Sequence, residues 1–351
     1  MRAVYKTGPG TVEVLDVREP EAVPGAVVIA TTVAALCGSD LHFTDDYADE
    51  VITRRFGVGN DDGIPLGHEL VGRVHALGEG VRGLAIGDRV VAGSLTACGR
   101  CTACLSGAQN ICRGGGGLLF GCQAEYVAIP FADIGVARIP DAVRDDQAVF
   151  ASDILSVAIA AIDRAGAAFG DTVAVVGQGP VGLCVTMAAR ARGAGLVIAV
   201  DTVPERLDMA RRIGANVALD ASTTDVAAEI LDMTDGVGVD VAVEAVGSLR
   251  TFETCSEIVR QGGTLSSVGV YGRDPTLPLS TRSRSFLHRS VTTTLAPTGR
   301  HRLDQLLRLM EHGSVDPGPL ISHRFTIEEA PKAYDLFRTR TEGTLKVVLE
   351  A

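Results

Sequence analysis

The stretch from Thr172 to Asp201 limits the possible folds of this chain more than any other. An apolar run, Thr172-Val-Ala-Val-Val176, leads into Gly177-Gln-Gly-Pro-Val-Gly182, a helix-like segment, then Leu196-Val-Ile-Ala-Val200 and Asp201. A short apolar run without polar alternation suits a strand buried on both faces, as in a parallel sheet. Gly177, Gly179 and Gly182 have the spacing of a dinucleotide-binding turn. The first permits the tight turn, the second lets a diphosphate approach the backbone, and the third lets helix and strand pack closely. Pro180 and Val181 open the helix, whose free N–H groups and positive dipole end favour phosphate. Asp201 follows Gly182 by 19 residues, where a carboxylate can accept both ribose hydroxyls. It would repel the extra phosphate of NADP, so NAD is the expected cofactor. Arg206 lies near enough in sequence to soften that discrimination. The bland alternative is a strand–turn–helix with an exposed acid at a strand end.

A length of 351 residues suggests two domains on a prior of about 150 residues each. With 46% apolar residues, 21% charged residues and a net charge of −11, the composition is that of a globular chain without general affinity for nucleic acid or anionic membranes. Met1-Arg-Ala-Val-Tyr-Lys-Thr7 lacks the apolar core of a signal peptide. No run of about 18 apolar residues suggests a membrane span. A cytoplasmic chain is therefore expected, and its eight cysteines read as thiols or metal ligands in preference to disulfides.

Residues 1 to about 150 carry short apolar runs such as Ala26–Val33 and Arg89–Ala92 between glycine turns, the texture of a small β-rich domain. From about 153 to 290 the pattern becomes strand, helix, strand. Asp240–Glu244 and Thr264–Val268 are further strand candidates, and Arg206–Arg212 and Phe252–Arg260 look helical. That alternation predicts an α/β, doubly wound parallel sheet. Helices near Arg302–Glu311 and Glu328–Arg338 and a strand at Leu345–Leu349 complete the chain. Gly114–Gly117 reads as a flexible loop.

Cys98, Cys101, Cys104 and Cys112 form Cys-x2-Cys-x2-Cys-x7-Cys. Four thiolates in one loop can close a tetrahedron around zinc, leaving no open position, so this site should be structural. Free thiols or an iron–sulfur cluster are the alternatives. A second set must be assembled from afar: Cys37 in Cys37-Gly-Ser-Asp-Leu-His42, His68 in Gly67-His-Glu69, and Asp153. One sulfur, one nitrogen and one oxygen would give a neutral shell around Zn²⁺ with the fourth position open to a substrate oxygen. Singly, each of these residues is weak evidence.

The chain resembles the zinc-dependent medium-chain alcohol dehydrogenases over essentially its whole length. The resemblance rests on Cys37-Gly-Ser-Asp40, Gly67-His-Glu69, the four-cysteine loop, the glycine turn at Gly177–Gly182, and their order. Asp153, Gln123-Ala-Glu-Tyr126 and Phe131-Ala-Asp133 are similar to the branch of secondary-alcohol and formaldehyde dehydrogenases. The resemblance implies a GroES-like catalytic domain at 1–152, rejoined by 291–351, a Rossmann domain at 153–290, and an active-site cleft between them. It implies NAD and two zinc ions per subunit, one catalytic (Cys37, His68, Asp153) and one structural (Cys98, Cys101, Cys104, Cys112). Glu69 lies beside the catalytic metal and can exchange as a ligand. Ser39 takes the proton of the zinc-bound alcohol, His42 passes it on, and hydride leaves the alkoxide for the nicotinamide. Val246, Val268 and Val270 border the nicotinamide, and Lys346 approaches the diphosphate.

Two departures stand out. The Cys37-to-His68 interval is longer than the family's, with Phe43, Tyr47, Ile52 and Phe56 in the extra segment around 43–60; it could line the substrate pocket or be a surface insertion. Ser156 and Val157 stand where the family often has Pro-Thr. The expected function is NAD-dependent oxidation of a small or medium alcohol, or the reverse reduction of an aldehyde or ketone, by a homo-oligomer, a tetramer in preference to a dimer. A polyol or amino-alcohol dehydrogenase of the sorbitol or threonine type is the second reading, and a non-catalytic dinucleotide-binding protein the third.

Overall fold

The computed structural model describes residues 1–44, 57–59, 61–271, 288–341 and 343–351. Tyr47, Ile52 and Phe56 of the long interval lie outside them, as does most of the basic segment 282–289. The chain divides into two compact units, Met1–Ser156 with Ala296–Ala351, and Val157–Leu295. These divisions differ slightly from the 152/153 and 290/291 changes expected from the sequence. Asp153 thus lies in the same unit as Cys37 and His68.

In the second unit every strand of a six-stranded sheet pairs in parallel, in the order Val217–Asp220, Leu196–Asp201, Thr172–Val176, Val239–Glu244, Val259–Ser267, Ser290–Thr293. Numbered along this unit, that order is 3-2-1-4-5-6, the doubly wound arrangement in which the two halves diverge beside the first strand. Val173 to Val175 and Val197 to Ala199 are fully buried, as strands covered on both faces require. The predicted helix Phe252–Arg260 is observed as Leu249–Ile258. Val259 and Arg260 instead begin the next strand, because β-branched Val259 pairs with Val239 and the Arg260 guanidinium is held by Asp240.

The first unit is built on a seven-stranded sheet whose path runs Ile321–Thr326, Lys346–Glu350, Val27–Ala35, Glu69–Leu77, Arg89–Ala92, Val136–Arg138, with Tyr126–Ile129 also paired to Val27–Ala35. A smaller sheet joins Thr11–Asp16, Arg2–Gly8 and Ile64–Pro65. Two register facts set up the site. Ala35 lies opposite Glu69 on one side and Val348 on the other. The chain beyond Ala35, the chain entering at His68 and the strand beginning at Lys346 therefore meet at one end of the sheet.

The glycine run 114–117 differs from the expected flexible loop. Thr96 and Gly117 exchange hydrogen bonds, and a side chain on Gly116 would place Cβ 2.2 Å from the Thr96 carbonyl oxygen. Its glycines serve a close backbone approach that anchors the cysteine loop. Among the described residues no helix is long and apolar enough to cross a membrane.

Candidate active site and metal centres

Strand Val27–Ala35 runs on through Leu36 to Cys37, which precedes helix Gly38–Thr44. Helix Asp145–Ser152 delivers Asp153 as its C-cap, and the Ser152 hydroxyl pins that helix end to the Ala92 carbonyl at 2.5 Å. His68 follows Gly67, whose φ is +87°. A Cβ on Gly67 would lie 2.4 Å from Cγ of Gln123, so only glycine lets His68 enter here.

The ligand atoms of Cys37, His68, Glu69 and Asp153 all lie within 4.8 Å of one another. Cys37 Sγ is 3.9 Å from Asp153 Oδ2, and His68 Nε2 is 3.4 Å from the same oxygen. A tetrahedral zinc with ordinary bond lengths would hold such pairs about 3.6 and about 3.4 Å apart. The sulfur, nitrogen and oxygen donors thus fit one ion. Ser94 donates to the other Asp153 oxygen at 3.1 Å and orients that carboxylate.

Electrostatics point the same way. Burial disfavours a charged His68, yet Asp40 and Asp153, with Cys37, raise its pKa well above the ordinary value. The Asp153 carboxyl would be raised by burial, but His68 outweighs that and holds it low. The cluster is a pocket of negative potential, which a divalent cation would satisfy with the imidazole neutral.

A buried acid lies against the ring, and the motif alone does not assign it. Asp40 Oδ1 is 3.1 Å from His68 Nδ1, while Oδ2 accepts the Cys37 N–H at 2.9 Å and the Gln123 amide at 3.3 Å. Tyr334 donates to the Gln123 Oε1 at 2.9 Å. Asp40, Gln123 and Tyr334 are all fully buried. Metal-binding histidines usually carry such a partner on the second nitrogen, so Asp40 was legible in its motif. Tyr334 was not; in sequence it is one more apolar-face residue of helix Ala330–Thr339.

Ser39 Oγ lies 3.4 Å from His68 Nε2, and His42 lies one turn further along the same short helix. Phe43 packs edge-on to His68 with ring centroids 6.2 Å apart, and against Phe120 at 5.2 Å. Ser156 donates to Pro297 O at 2.6 Å.

Lys346 requires a correction. Its ammonium is buried and lies 2.6 and 2.8 Å from the two carboxylate oxygens of Glu69. Burial would lower its pKa, but Glu69 and Cys37 raise it, so it stays charged. A lysine committed to a buried partner is not offered to a diphosphate.

The four-cysteine loop is closed on itself. Sγ–Sγ distances are 3.5 Å for Cys101–Cys104, 3.9 Å for Cys101–Cys112 and 4.0 Å for Cys98–Cys104. Tetrahedral zinc thiolates sit about 3.8 Å apart and a disulfide about 2 Å, so the spacing fits an ion. Backbone N–H groups aim at the sulfurs: Arg113 to Cys101 at 3.5 Å, Gly114 to Cys112 at 3.3 Å. The Arg113 N–H leads in lowering the Cys101 pKa to about 6, while burial pushes Cys104 to about 12. Cys122, Cys184 and Cys255 are buried core thiols, as expected.

In the second unit Gly177 has φ +96°, and a Cβ on Gly182 would fall 1.8 Å from the Gly177 carbonyl oxygen. At Gly179 a Cβ would meet nothing within 4 Å. The first and third glycines are thus sterically required, while the second faces open space at the start of helix Pro180–Arg192, a cradle for a diphosphate. Asp201 does more than the motif assigns. Its carboxylate accepts N–H bonds from Gln178 at 2.6 Å, Thr202 at 2.8 Å and Val203 at 3.0 Å, and Arg206 stands 3.8 Å away. It ties the glycine loop to the second strand. Beyond it lies a cavity of about 580 Å³ lined by Val200, Thr202, Ser222, Arg250 and Thr251, at the carboxyl ends of the strands.

Val246 and Val270 are exposed and Val268 half-buried. Their loops are locked by Glu244, which sequence reasoning saw only as a strand end. Fully buried, it accepts from the N–H groups of Val246 and Gly247 at 2.8 Å each, from Thr251 at 2.7 Å and from Tyr271 at 3.0 Å.

A dinucleotide cradle on a doubly wound sheet, together with two candidate metal-ligand sets, defines the class of zinc-dependent nicotinamide oxidoreductases. Two family models match this chain, the alcohol dehydrogenase GroES-like domain over residues 23–141 and the zinc-binding dehydrogenase over residues 180–312. An alcohol dehydrogenase of Cupriavidus necator is 35% identical over 370 residues, covering 100% of this chain and 98% of that relative. An NADP-dependent isopropanol dehydrogenase of Thermoanaerobacter brockii is 29% identical over 352 residues, with 97% of each chain covered. The solved structure of the alcohol dehydrogenase TADH from Thermus sp. ATN1 is 34% identical with a TM-score of 0.90, covering 100% of this chain and 99% of that one. The chain belongs to the zinc-dependent alcohol dehydrogenase family.

Proposed function

We propose that this protein interconverts a small or medium uncharged alcohol with its aldehyde or ketone, using NAD(H). One zinc is held by Cys37, His68 and Asp153 and a second by Cys98, Cys101, Cys104 and Cys112. The observation that carries the reading is the meeting of Cys37, His68 and Asp153, with Glu69 beside them, at spacings to Asp153 that suit a tetrahedral ion; three ligands would leave the fourth position to a substrate oxygen. Zinc there supplies Lewis acidity, which makes the alcohol proton removable near neutral pH. The chain supplies the rest. Asp40 fixes the His68 ring and its tautomer. Ser39 accepts the alcohol proton, and His42 hands it toward solvent. Gly177, Gly179, Pro180, Val181 and Gly182 bind the diphosphate through backbone N–H groups, and the 580 Å³ cavity takes the adenosine half. Val246, Val268 and Val270 offer an apolar edge to the nicotinamide ring, while Glu244 holds their loops still. A bound nicotinamide would supply the hydride acceptor or donor.

The family does not decide the nucleotide, since the Thermoanaerobacter relative is named for NADP. Asp201 argues for NAD here. Its charge would face a 2′-phosphate, and Arg206 is already drawn to it. Asp201→Gly with an added arginine should move preference toward NADP, read as the ratio of kcat/KM values; an unchanged ratio removes Asp201 from the ribose. A tetramer in the cytoplasm completes the reading, with light scattering as its check on assembly.

A panel of primary alcohols, secondary alcohols, polyols and aldehydes with NAD and NADP tests the function. Turnover of uncharged alcohols with NAD is expected, alongside two zinc ions per chain by elemental analysis. Turnover confined to polyols or amino alcohols would shift the reading to the sorbitol or threonine type. No turnover with one tightly held zinc would leave a non-catalytic dinucleotide-binding protein.

A further inference from the structure

Two aromatic rings stand beside the assembled donor set without a role in proton or hydride transfer. Phe43 follows Ser39 by four residues in helix Gly38–Thr44, so the two side chains share one helix face. Ser39 Oγ lies 3.4 Å from His68 Nε2, the same nitrogen that stands 3.4 Å from Asp153 Oδ2. The ring of Phe43 meets the His68 ring edge-on, with centroids 6.2 Å apart and planes at 78°. That face of the helix therefore carries both the hydroxyl that would take the alcohol proton and a phenyl ring. The ring is fixed from two sides. It packs against the core cluster that holds Leu36 and Leu66, and it joins Val58, Ile64 and Phe120 in a smaller cluster. The Phe120 ring lies 5.2 Å from it, tilted by 50°. Both rings are only half-buried, so each keeps apolar surface to offer.

A ring so placed discriminates by what it lacks. A methyl or methylene group laid against it leaves water and gains contact area. A second hydroxyl at the same point would lose its water and find no hydrogen-bond partner on the ring in exchange. Replacing one such methyl by a hydroxyl should cost about ten- to a hundredfold in kcat/KM.

We propose that Phe43, backed by Phe120, is the specificity-determining wall of the alcohol site, and that it selects substrates with an apolar group on the carbinol carbon against polyols. The proposal rests on the function proposed above and narrows its substrate class. Its test compares 1-butanol with propane-1,3-diol, which replaces the terminal methyl by a hydroxyl at nearly constant volume. A binding readout runs beside it, titration calorimetry of butyramide and of 3-hydroxypropanamide with the zinc-replete enzyme and NADH. These amides offer a carbonyl oxygen, as the product aldehyde does, and have no hydrogen to transfer from a carbinol carbon. The parent should favour the methyl member of each pair by at least about tenfold. Phe43→Tyr puts a hydroxyl at the tip of the ring and should narrow both ratios by about fivefold or more. Phe43→Leu keeps the wall apolar and should leave both ratios within about twofold of the parent's. Phe43→Thr has no ring and carries a hydroxyl; it should narrow the ratios too, and it serves where the tyrosine variant does not fold. A parent that takes both members of each pair alike overturns the proposal. So do ratios that neither hydroxyl-bearing variant moves. If the zinc-replete parent turns over no alcohol, the proposed function falls, and the wall with it. If 1-butanol is turned over and the ratios ignore residue 43, only the wall falls.

Discussion

The two metal-ligand sets of this chain are built in opposite ways. The four cysteines lie within one loop, and their sulfurs gather at 3.5 to 4.0 Å with backbone N–H groups turned toward them. Cys37 and Asp153 are 116 residues apart and meet only because a strand end, a glycine-led turn and a helix end converge. The local set is rich in negative charge, complete in ligands and close to the surface. With three of its members as ligands, the assembled set would be neutral with its ion and short of one ligand, and buried groups, Asp40, Gln123 and Tyr334, stand behind it. A closed shell stabilises a loop, whereas an open one can do chemistry, and an open site needs the rest of the fold to hold its shape.

The sharpest way to break this contrast is at Asp153. Asp153→Asn should lower kcat by about a hundredfold or more, as removal of an anionic ligand implies. NADH binding, followed by fluorescence, should stay nearly intact. Near-normal turnover would take Asp153 off the metal. Next comes timed chelation. The three-donor site should release its ion first, with activity falling in step, while one zinc remains with the cysteine loop. Loss of both ions at one rate would erase the distinction. Cys101→Ser should cut zinc to one ion per chain and lower Tm by at least about 4 °C, the effect of roughly 2 kcal/mol in a unit of this size. Activity per folded molecule should change little; collapse of kcat at unchanged Tm would mean the cysteine site takes part in turnover. The smallest effect is expected from Tyr334→Phe. It leaves the Gln123 oxygen buried without its donor, at a cost of about 1–3 kcal/mol. Denaturation should register that loss, while kcat moves by less than about threefold; no change in stability would remove Tyr334 from the brace.

What the sequence revealed follows the same division. Short-range patterns were legible: the glycine turn, the cysteine loop, and the strands Arg89–Ala92 and Thr172–Val176. Each is set by spacing or by an uninterrupted apolar run. Ligands from Cys37, His68 and Asp153 were legible only by resemblance, since no local rule joins residues so distant. The misreading of Lys346 had the same origin. Its partner, Glu69, is a neighbour through strand register, and register is fixed by the whole sheet. Glu244 was passed over because a carboxylate at a strand end looks solvated until its five donors are in place. The glycine run at 114–117 read as loose for want of any sign that Thr96 would lie against it.

The most direct test of the central claim is anomalous diffraction at the zinc edge from crystals of the protein as purified. The account predicts two peaks per chain. One should lie about 2.0 to 2.3 Å from the donor atoms of Cys37, His68 and Asp153, and the other among the four cysteine sulfurs. A peak confined to the cysteine loop, with the sulfur of Cys37 and the imidazole of His68 sharing no ion in zinc-replete protein, would contradict it.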